Sequence, residues 1–153
     1  MKLKIAIGSD HAGVEQKSEI MAFLNETGIE TIDCGCFSAD SVDYPDIAEA
    51  VAAQVLEKNI PGIIICGTGI GISIAANKIP GIRAALCSDS FSAEMARRHN
   101  DANVLAIGAR VLEMPVIREI VRAFFSADFE GGRHQRRVDK INAIEKKYCE
   151  RCC

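Results

Sequence analysis

A cysteine placed between an apolar strand and a glycine-rich turn is the residue of this 153-residue chain best suited to chemistry. The run GIIICGTGIG at 62–71 leads from that strand into a helical segment, with Cys66 at the junction. A helix start offers unpaired N–H groups and the positive end of the helix dipole, and glycines let a small anion approach the backbone. A thiol in such surroundings loses its proton more readily than a free one. The run therefore predicts a base that removes a substrate proton and a loop that holds the resulting charge.

Other uses of such a loop fit its residues less well. Its G-x-G-x-G spacing differs from the G-x-G-x-x-G of dinucleotide-binding folds, and it lacks the G-K-[ST] ending of a phosphate-binding loop. A cysteine phosphatase needs an arginine six positions after the nucleophile to hold phosphate, and Ile72 stands there. A buried structural cysteine before a tight turn stays open as the alternative.

Two further segments carry groups suited to acid–base work. Asp10 and His11 follow the first predicted strand, where an aspartate is equally typical of a helix N-cap. His99 ends the predicted fourth helix, where it suits an acid–base pair with Asn100 or a simple interaction with the helix dipole.

A basic segment, GGRHQRR at 131–137, is suited to binding a phosphate. Arg133 and Arg137 are four residues apart, so on a helix they share one face and can hold a single anion. A solvated basic turn is the alternative for the same residues.

The composition argues against several classes of function. A net charge of -3 gives no positive field for nucleic acid, and no apolar run approaches the roughly 20 residues of a membrane helix. An odd count of seven cysteines without a secretion signal favours free thiols and a cytoplasmic location. Neither the three histidines nor the Cys149–Cys152 pair shows the spacing of a metal motif with a second ligand pair, so no metal or other cofactor is expected.

Strand-like and helical patterns alternate along the chain. Ile63 to Ile65 are apolar in succession, as in a strand covered on both faces of a parallel sheet. The alternation predicts a single doubly wound α/β domain over residues 1–153, with a C-terminal helix and tail at 135–153. The predicted strands are Leu3–Gly8, Ile29–Cys34, Gly62–Cys66, Arg83–Cys87 and Val104–Gly108, and the predicted helices are Val14–Glu26, Asp46–Lys58, Ile70–Lys78, Ser90–Arg98, Pro115–Phe125 and Gln135–Glu150.

In such a fold, ligands gather beyond the carboxyl ends of the strands. Polar residues that follow the predicted strands are therefore expected to share one edge and form one active site. These residues are Ser9, Asp10, His11, Cys66, Thr68, Ser88, Asp89 and Arg110.

Six motifs in one order resemble a known family. They are D-H at 10–11, D-Y-P at 43–45, C-G-T-G-I-G at 66–71, R-H-N-D at 98–101, G-A-R at 108–110 and G-G-R-H-Q-R-R at 131–137. Together they resemble the type B ribose-5-phosphate isomerases, whose family also holds allose- and galactose-6-phosphate isomerases. The resemblance implies a Rossmann-like three-layer αβα sandwich with a five-stranded parallel sheet. It also implies a homodimer, or a dimer of dimers, with sites at the subunit interface and a metal-free aldose–ketose isomerisation through an enediolate.

The resemblance assigns the proton transfers to named residues. Cys66 is the implied base that moves a proton between C1 and C2. His99, with Asp10 nearby, is implied in opening the furanose ring. Thr68 and the loop backbone are the implied anion hole for the enediolate oxygen, the backbone positions being Gly67, Gly69, Ile70 and Gly71.

The remaining implied residues bind the substrate. Asn100 is implied in a hydrogen bond to the reacting end of the sugar, and Tyr44 in lining the sugar pocket. The implied phosphate-binding set includes Arg110 of the partner chain and consists of His11, Arg110, Arg133 and Arg137.

The sequence leaves the substrate length open. Ribose 5-phosphate and ribulose 5-phosphate are the expected pair, and a six-carbon phosphate such as allose 6-phosphate is the nearest alternative. A non-catalytic sugar-phosphate sensor would keep Arg133 and Arg137 without needing Cys66, so the cysteine favours an enzyme.

Overall fold

Within residues 3–149, five short strands form one parallel sheet, as the sequence predicts. They are β1 (Lys4–Ser9), β2 (Glu30–Asp33), β3 (Gly62–Cys66), β4 (Ala84–Leu86) and β5 (Val104–Gly108), in the order β2-β1-β3-β5-β4. The computed structural model describes residues 3–149, so Cys152 and Cys153 of the predicted tail lie outside the described residues.

In the described part of the chain, six α-helices connect and cover the strands. They are α1 (Val14–Glu26), α2 (Tyr44–Lys58), α3 (Ile70–Ala76), α4 (Ser90–Asn100), α5 (Met114–Ser126) and α6 (Arg133–Cys149). Helix α2 begins two residues before its predicted start because Pro45 is tolerated in a first helical turn. Helix α3 ends two residues early because the Asn77 side chain turns away to bond the backbone N–H and carbonyl of Ala84. No helix among residues 3–149 combines the length and apolarity needed to cross a membrane.

The core is divided by the sheet into two apolar layers. In β3, Ile63 and Ile65 pack with α1, α4 and α5 on one face, while Ile64 and Cys66 pack with α2 and α3 on the other. All of β3 and β5 is buried, which explains why their sequences are continuously apolar instead of alternating. The three-layer αβα sandwich is thus confirmed.

Helix α2 lies unusually close to the sheet. A Cβ atom added at Gly8 of β1 would lie 2.8 Å from side-chain atoms of Ile47 and Val51, and one at Gly62 of β3 would meet Val55 at the same distance. The two glycines therefore make room for α2. This approach brings Tyr44, the first residue of α2, to the carboxyl edge of the sheet.

Helix α4 carries the chain from one edge of the sheet to the other. It follows β4 and precedes β5, and these strands are parallel neighbours, so α4 must end at the amino edge where β5 begins. The carbonyl of Asn100 accepts a hydrogen bond from Nε of Arg83, the residue just before β4, at 3.1 Å. His99 and Asn100 therefore lie at the amino edge, opposite the end of β3 that carries Cys66.

Candidate active site

The Cys66 side chain lies inside the turn that follows β3. Cys66 is 4 % exposed, and its Sγ accepts a hydrogen bond from the backbone N–H of Gly69 at 3.1 Å. Gly69 has a φ of +76°, a left-handed conformation that favours glycine, and a Cβ there would lie 2.5 Å from Leu86. The glycine thus lets the loop fold back over the sulfur and present a donor that stabilises negative charge on it.

Two N–H groups of the implied anion hole are already engaged within the loop. The N–H of Gly69 donates to Cys66, and the N–H of Ile70 donates to Oγ1 of Thr68 at 3.3 Å. The hydroxyl proton of Thr68 stays available as a donor, because that bond uses only an oxygen lone pair. The N–H of Gly71 has no acceptor within α3, since it belongs to the first helical turn.

Tyr44 lies against the start of α3. A Cβ added at Gly71 would be 2.6 Å from Cζ and 2.9 Å from the phenol oxygen of Tyr44. Because Gly71 carries no side chain, the phenol can lie directly beside the cysteine loop. Tyr44 is 40 % exposed, so its ring forms a wall that a ligand can reach.

Asp10 and His11 lie next to β3, at the end of β1. The carboxylate of Asp10 accepts a hydrogen bond from the N–H of Ala12 at 2.9 Å, and its own N–H donates to the Ile65 carbonyl at 3.0 Å. Asp10 is therefore the N-cap of a 3-10 turn over His11–Gly13. Nδ1 of His11 accepts from the N–H of Val42 at 3.3 Å, which leaves Nε2 of a neutral ring to donate to an anion.

A buried lysine holds the loop that contacts His11. Lys17 is 2 % exposed, and its Nζ donates to Oδ1 of Asp33 and to the Cys36 carbonyl, each at 2.7 Å. These bonds fix the segment between β2 and α2, in which Val42 lies. The sequence reasoning gave Lys17 no role, because a lysine within an amphipathic helix ordinarily faces solvent.

Arg110 belongs to the cysteine loop of its own chain. Its N–H donates to the Gly67 carbonyl at 2.9 Å, and its Nη1 lies 3.5 Å from where a Cβ of Gly67 would be. Arg110 thus lies beside the cysteine loop of its own chain, and its contact with the phosphate from the partner chain stays a prediction. We define the cysteine group by its side chains, which are Asp10, His11, Tyr44, Cys66, Thr68 and Arg110.

A second polar cluster lies where α4 ends and α6 begins. The imidazole rings of His99 and His134 stack with centroids 4.1 Å apart and planes inclined by 4°. Oε2 of Glu130 lies 3.9 Å from Nε2 of His99 and 3.5 Å from Nε2 of His134. Arg98 fixes Glu130 through a 2.7 Å bond from Nε to Oε1. We define the histidine group as His99, Asn100, Glu130, Arg133, His134 and Arg137.

The pKa of His134 is lowered from its ordinary value, chiefly because burial disfavours the charged ring. The neighbouring His99 and Arg133 lower the pKa of His134 further, while the Glu130 carboxylate opposes them. At neutral pH His134 is therefore an uncharged ring beside the more exposed His99.

The two groups lie at opposite edges of the sheet within one chain. The polar residues that follow the strands share the carboxyl edge, as expected, whereas the histidine group, which the family resemblance implies, lies at the other edge. Asp10 is not near His99 in the same chain, because β1 ends at the carboxyl edge and α4 ends at the amino edge.

Asp89, another residue expected at the site, is the N-cap of α4. Its carboxylate accepts hydrogen bonds from the N–H and the hydroxyl of Ser92, both at 2.7 Å. These bonds lower the pKa of Asp89.

Glu130 and His134 are the members of the histidine group that sequence reasoning did not select. The sequence feature that could have pointed to Glu130 is its position four residues before His134, next to the Gly-Gly pair that precedes the basic segment. Only the packing of this loop against Arg98 shows that the carboxylate faces both imidazoles.

Comparison with known proteins agrees with this architecture. A profile of the ribose/galactose isomerase family matches residues 5–141. Ribose-5-phosphate isomerase B of Escherichia coli is 52 % identical over 145 residues, covering 94 % of this chain and 97 % of that protein. A ribose-5-phosphate isomerase B of Clostridium thermocellum has a solved structure that superposes with a TM-score of 0.93 at 54 % identity, over 95 % of this chain and 99 % of that one.

A ligand-bound relative adds a further point of comparison. Ribose-5-phosphate isomerase B from Mycoplasma genitalium, solved with bound ribulose 5-phosphate, is 42 % identical with a TM-score of 0.91, over 95 % of this chain and 98 % of that one. Similarity of this extent covers both the cysteine group and the histidine group. The chain belongs to the ribose/galactose isomerase family.

Proposed function

We propose that the chain interconverts ribose 5-phosphate and ribulose 5-phosphate through an enediolate, with Cys66 as the base. The observation that carries the proposal is the Cys66 sulfur held at the end of β3 under the Gly69 N–H at 3.1 Å. Relatives that match nearly the whole chain bear the name of this activity.

The geometry supports a proton transfer that needs no outside oxidant or reductant. The Cys66 thiolate takes the proton from C2 of the aldose, and the electrons of that bond form the C1–C2 double bond of the enediolate. Negative charge then develops on the carbonyl oxygen, where the Thr68 hydroxyl and the N–H of Gly71 are available as donors. The thiol returns the proton to C1, and a hydroxyl proton moves from O2 to O1, giving the ketose.

We propose that a complete site combines the cysteine group of one chain with the histidine group of a second copy. Their separation at opposite edges of the sheet supports this arrangement, because neither group alone has both the base and the Arg133–Arg137 pair. Apolar side chains exposed by 42–70 % around α3, β4 and the start of α4 support a contact between copies, and they are Ile70, Ile74, Leu86 and Phe91. A homodimer suffices, and a dimer of dimers contains the same pairs.

We further propose that residues 1–153 form one isomerase domain that works in the cytoplasm. The cysteines of the described chain are all free thiols, which fits a reducing compartment: Cys34, Cys36, Cys66, Cys87 and Cys149.

The test is the initial rate of ribulose 5-phosphate formation from ribose 5-phosphate, with the Cys66→Ala variant as control. We expect turnover by the natural chain and none by the variant, while both bind inorganic phosphate alike. Turnover in the variant would remove Cys66 as the base. No turnover by the natural chain, with turnover of allose 6-phosphate, would move the activity to a six-carbon substrate, and failure with both sugars would favour a sensor.

A further inference from the structure

The buried ring of His134 has a polar atom that the described chain leaves unpaired. His134 is 5 % exposed, and its Nε2 is buried without a hydrogen-bond partner among residues 3–149. That nitrogen faces Oε2 of Glu130 at 3.5 Å, which is beyond a good hydrogen bond. A buried polar atom without a partner is rare enough to indicate a task other than packing.

The stacking of the two rings argues against a metal site formed by His99, Glu130 and His134. The two rings lie in planes inclined by only 4°, with centroids 4.1 Å apart, so in-plane lone pairs of His99 and His134 cannot both point at one ion. The carboxylate of Glu130 is also already bound to Arg98 at 2.7 Å. The arrangement instead places the negative charge of the Glu130 carboxylate close to both imidazole rings.

The two stacked rings differ in burial and in their charged neighbours. His134 is the buried ring and has a lowered pKa, whereas the side chain of His99 is 35 % exposed. On α4, Arg98 is paired with Glu94 and with Glu130, which leaves Oε2 of Glu130 directed at the rings. The charged or titratable groups that surround the two rings are Glu94 and Arg98 on α4, Glu130 in the preceding loop, and Arg133 and Arg137 on α6.

We propose that Glu130 and His134 are positioning residues for His99: the carboxylate favours the proton-bearing form of His99, and the stacked neutral ring fixes its plane. The proposal rests on the proposed function for the task of His99 as the acid that opens the furanose ring. In that step the C1–O4 bond breaks, His99 gives its proton to O4, and the C1 hydroxyl proton leaves to water as the aldehyde forms. Nδ1 of His99, the ring nitrogen not turned toward Glu130, is then the one available to the sugar.

Glu130→Gln tests the charge while keeping the shape of the side chain. The chain has only three histidines, so nitrogen-15 NMR of the imidazoles can follow each ring through a pH titration without substrate. Glu130 Oε2 lies 3.9 Å from Nε2 of His99, so loss of its charge should move the signals of that ring's titration to lower pH. The alkaline limb of kcat/KM for ribose 5-phosphate should move down with it, because the active form of His99 carries the proton. An unchanged titration of His99 would overturn the proposal.

Two substitutions at His134 test the stacking. His134→Phe keeps a flat ring but removes the unpaired nitrogen, so kcat should fall by up to about tenfold. His134→Ala removes the ring, and kcat should fall on the order of 10²-fold with little change in KM, because His99 loses its orientation. Equal losses in both variants, with unchanged thermal unfolding, would refute the role of the ring.

The possible outcomes distinguish failure of the positioning role from failure of the proposed isomerase function. Absence of turnover by the natural chain overturns the isomerase assignment whatever the NMR titration shows. Turnover by the natural chain with no effect of Glu130→Gln on either the His99 titration or the pH profile overturns the positioning role alone. If His134→Ala fails to fold, Glu130→Gln and His134→Phe still decide the question.

Discussion

Mixed oligomers can test whether one active site draws on two chains. The perturbation is to coexpress a Cys66→Ala chain with a His99→Ala chain, each bearing a different affinity tag, and to purify the species that carries both tags. The first change removes the base of the cysteine group, and the second removes the acid of the histidine group. The Cys66→Ala chain alone should show no turnover, and the His99→Ala chain alone should lose activity by about 10²- to 10⁴-fold, the range typical of acid–base groups.

The expected activity follows from the positions of the two groups at opposite edges of the sheet. In a two-fold dimer with shared sites, one site receives the natural cysteine group and the natural histidine group, and the other receives both defects. The mixed dimer should therefore show about half of the natural activity. Sites built within single chains would each keep one defect, so a mixed dimer would show only the residual activity of its parents.

The assay is the initial rate of ribulose 5-phosphate formation by the doubly purified species. A matched control pairs Cys66→Ala with Cys66→Ser, a combination in which every site lacks the thiol and activity should not return. Activity near that of the parents in the Cys66→Ala/His99→Ala species would refute the shared site. So would the failure of any doubly tagged species to form.

Further predictions concern binding, stability and thiol chemistry. Arg137→Ala should raise KM about tenfold to a hundredfold with little change in kcat, because it removes a charge-assisted bond to a non-reacting phosphate; an unchanged KM in steady-state kinetics would exclude the arginine pair as the phosphate site. EDTA should leave activity unchanged, and a loss restored by adding metal would contradict the metal-free mechanism. Asp89→Ala should lower the midpoint of urea denaturation, since α4 loses its N-cap; an unchanged midpoint would show that the cap contributes nothing. Burial and the nearby Asp89 raise the pKa of Cys87 to about 11, so iodoacetamide at pH 8 should alkylate it far more slowly than the exposed Cys149; equal rates in peptide mass spectrometry would contradict this.

The layers of the fold could be predicted because apolar patterning determines them directly. Strands β3 and β5 have the predicted bounds, since each is a continuous apolar run with clear breaks on both sides. Helix ends were less predictable where tertiary contacts decide them. The end of α3 at Ala76, for example, depends on a hydrogen bond from Asn77 to the distant Ala84.

Most of the cysteine group could be predicted from the sequence because Asp10, His11, Cys66, Thr68 and Arg110 lie at or just after the end of a strand, whereas Tyr44 came only from the resemblance to the family. The histidine group was harder, because its position depends on the order of the strands that α4 connects. A helix between two adjacent parallel strands must return the chain to the amino edge, and this separates His99 from Asp10 once β4 and β5 are known to be neighbours. The pairing of Glu130 with both imidazoles was not predictable, because it depends on how the loop before α6 packs against Arg98.

The separation of the two groups has a consequence for gene duplication. If each site joins two chains, a duplicated copy can lose its histidine group while the other copy loses its cysteine group, and a mixed assembly still keeps one working site. Neither copy could then be deleted without loss of activity, although each had become inactive alone. Such a protein can therefore pass from a homomeric enzyme to an obligate pair of unlike subunits through individually tolerated losses.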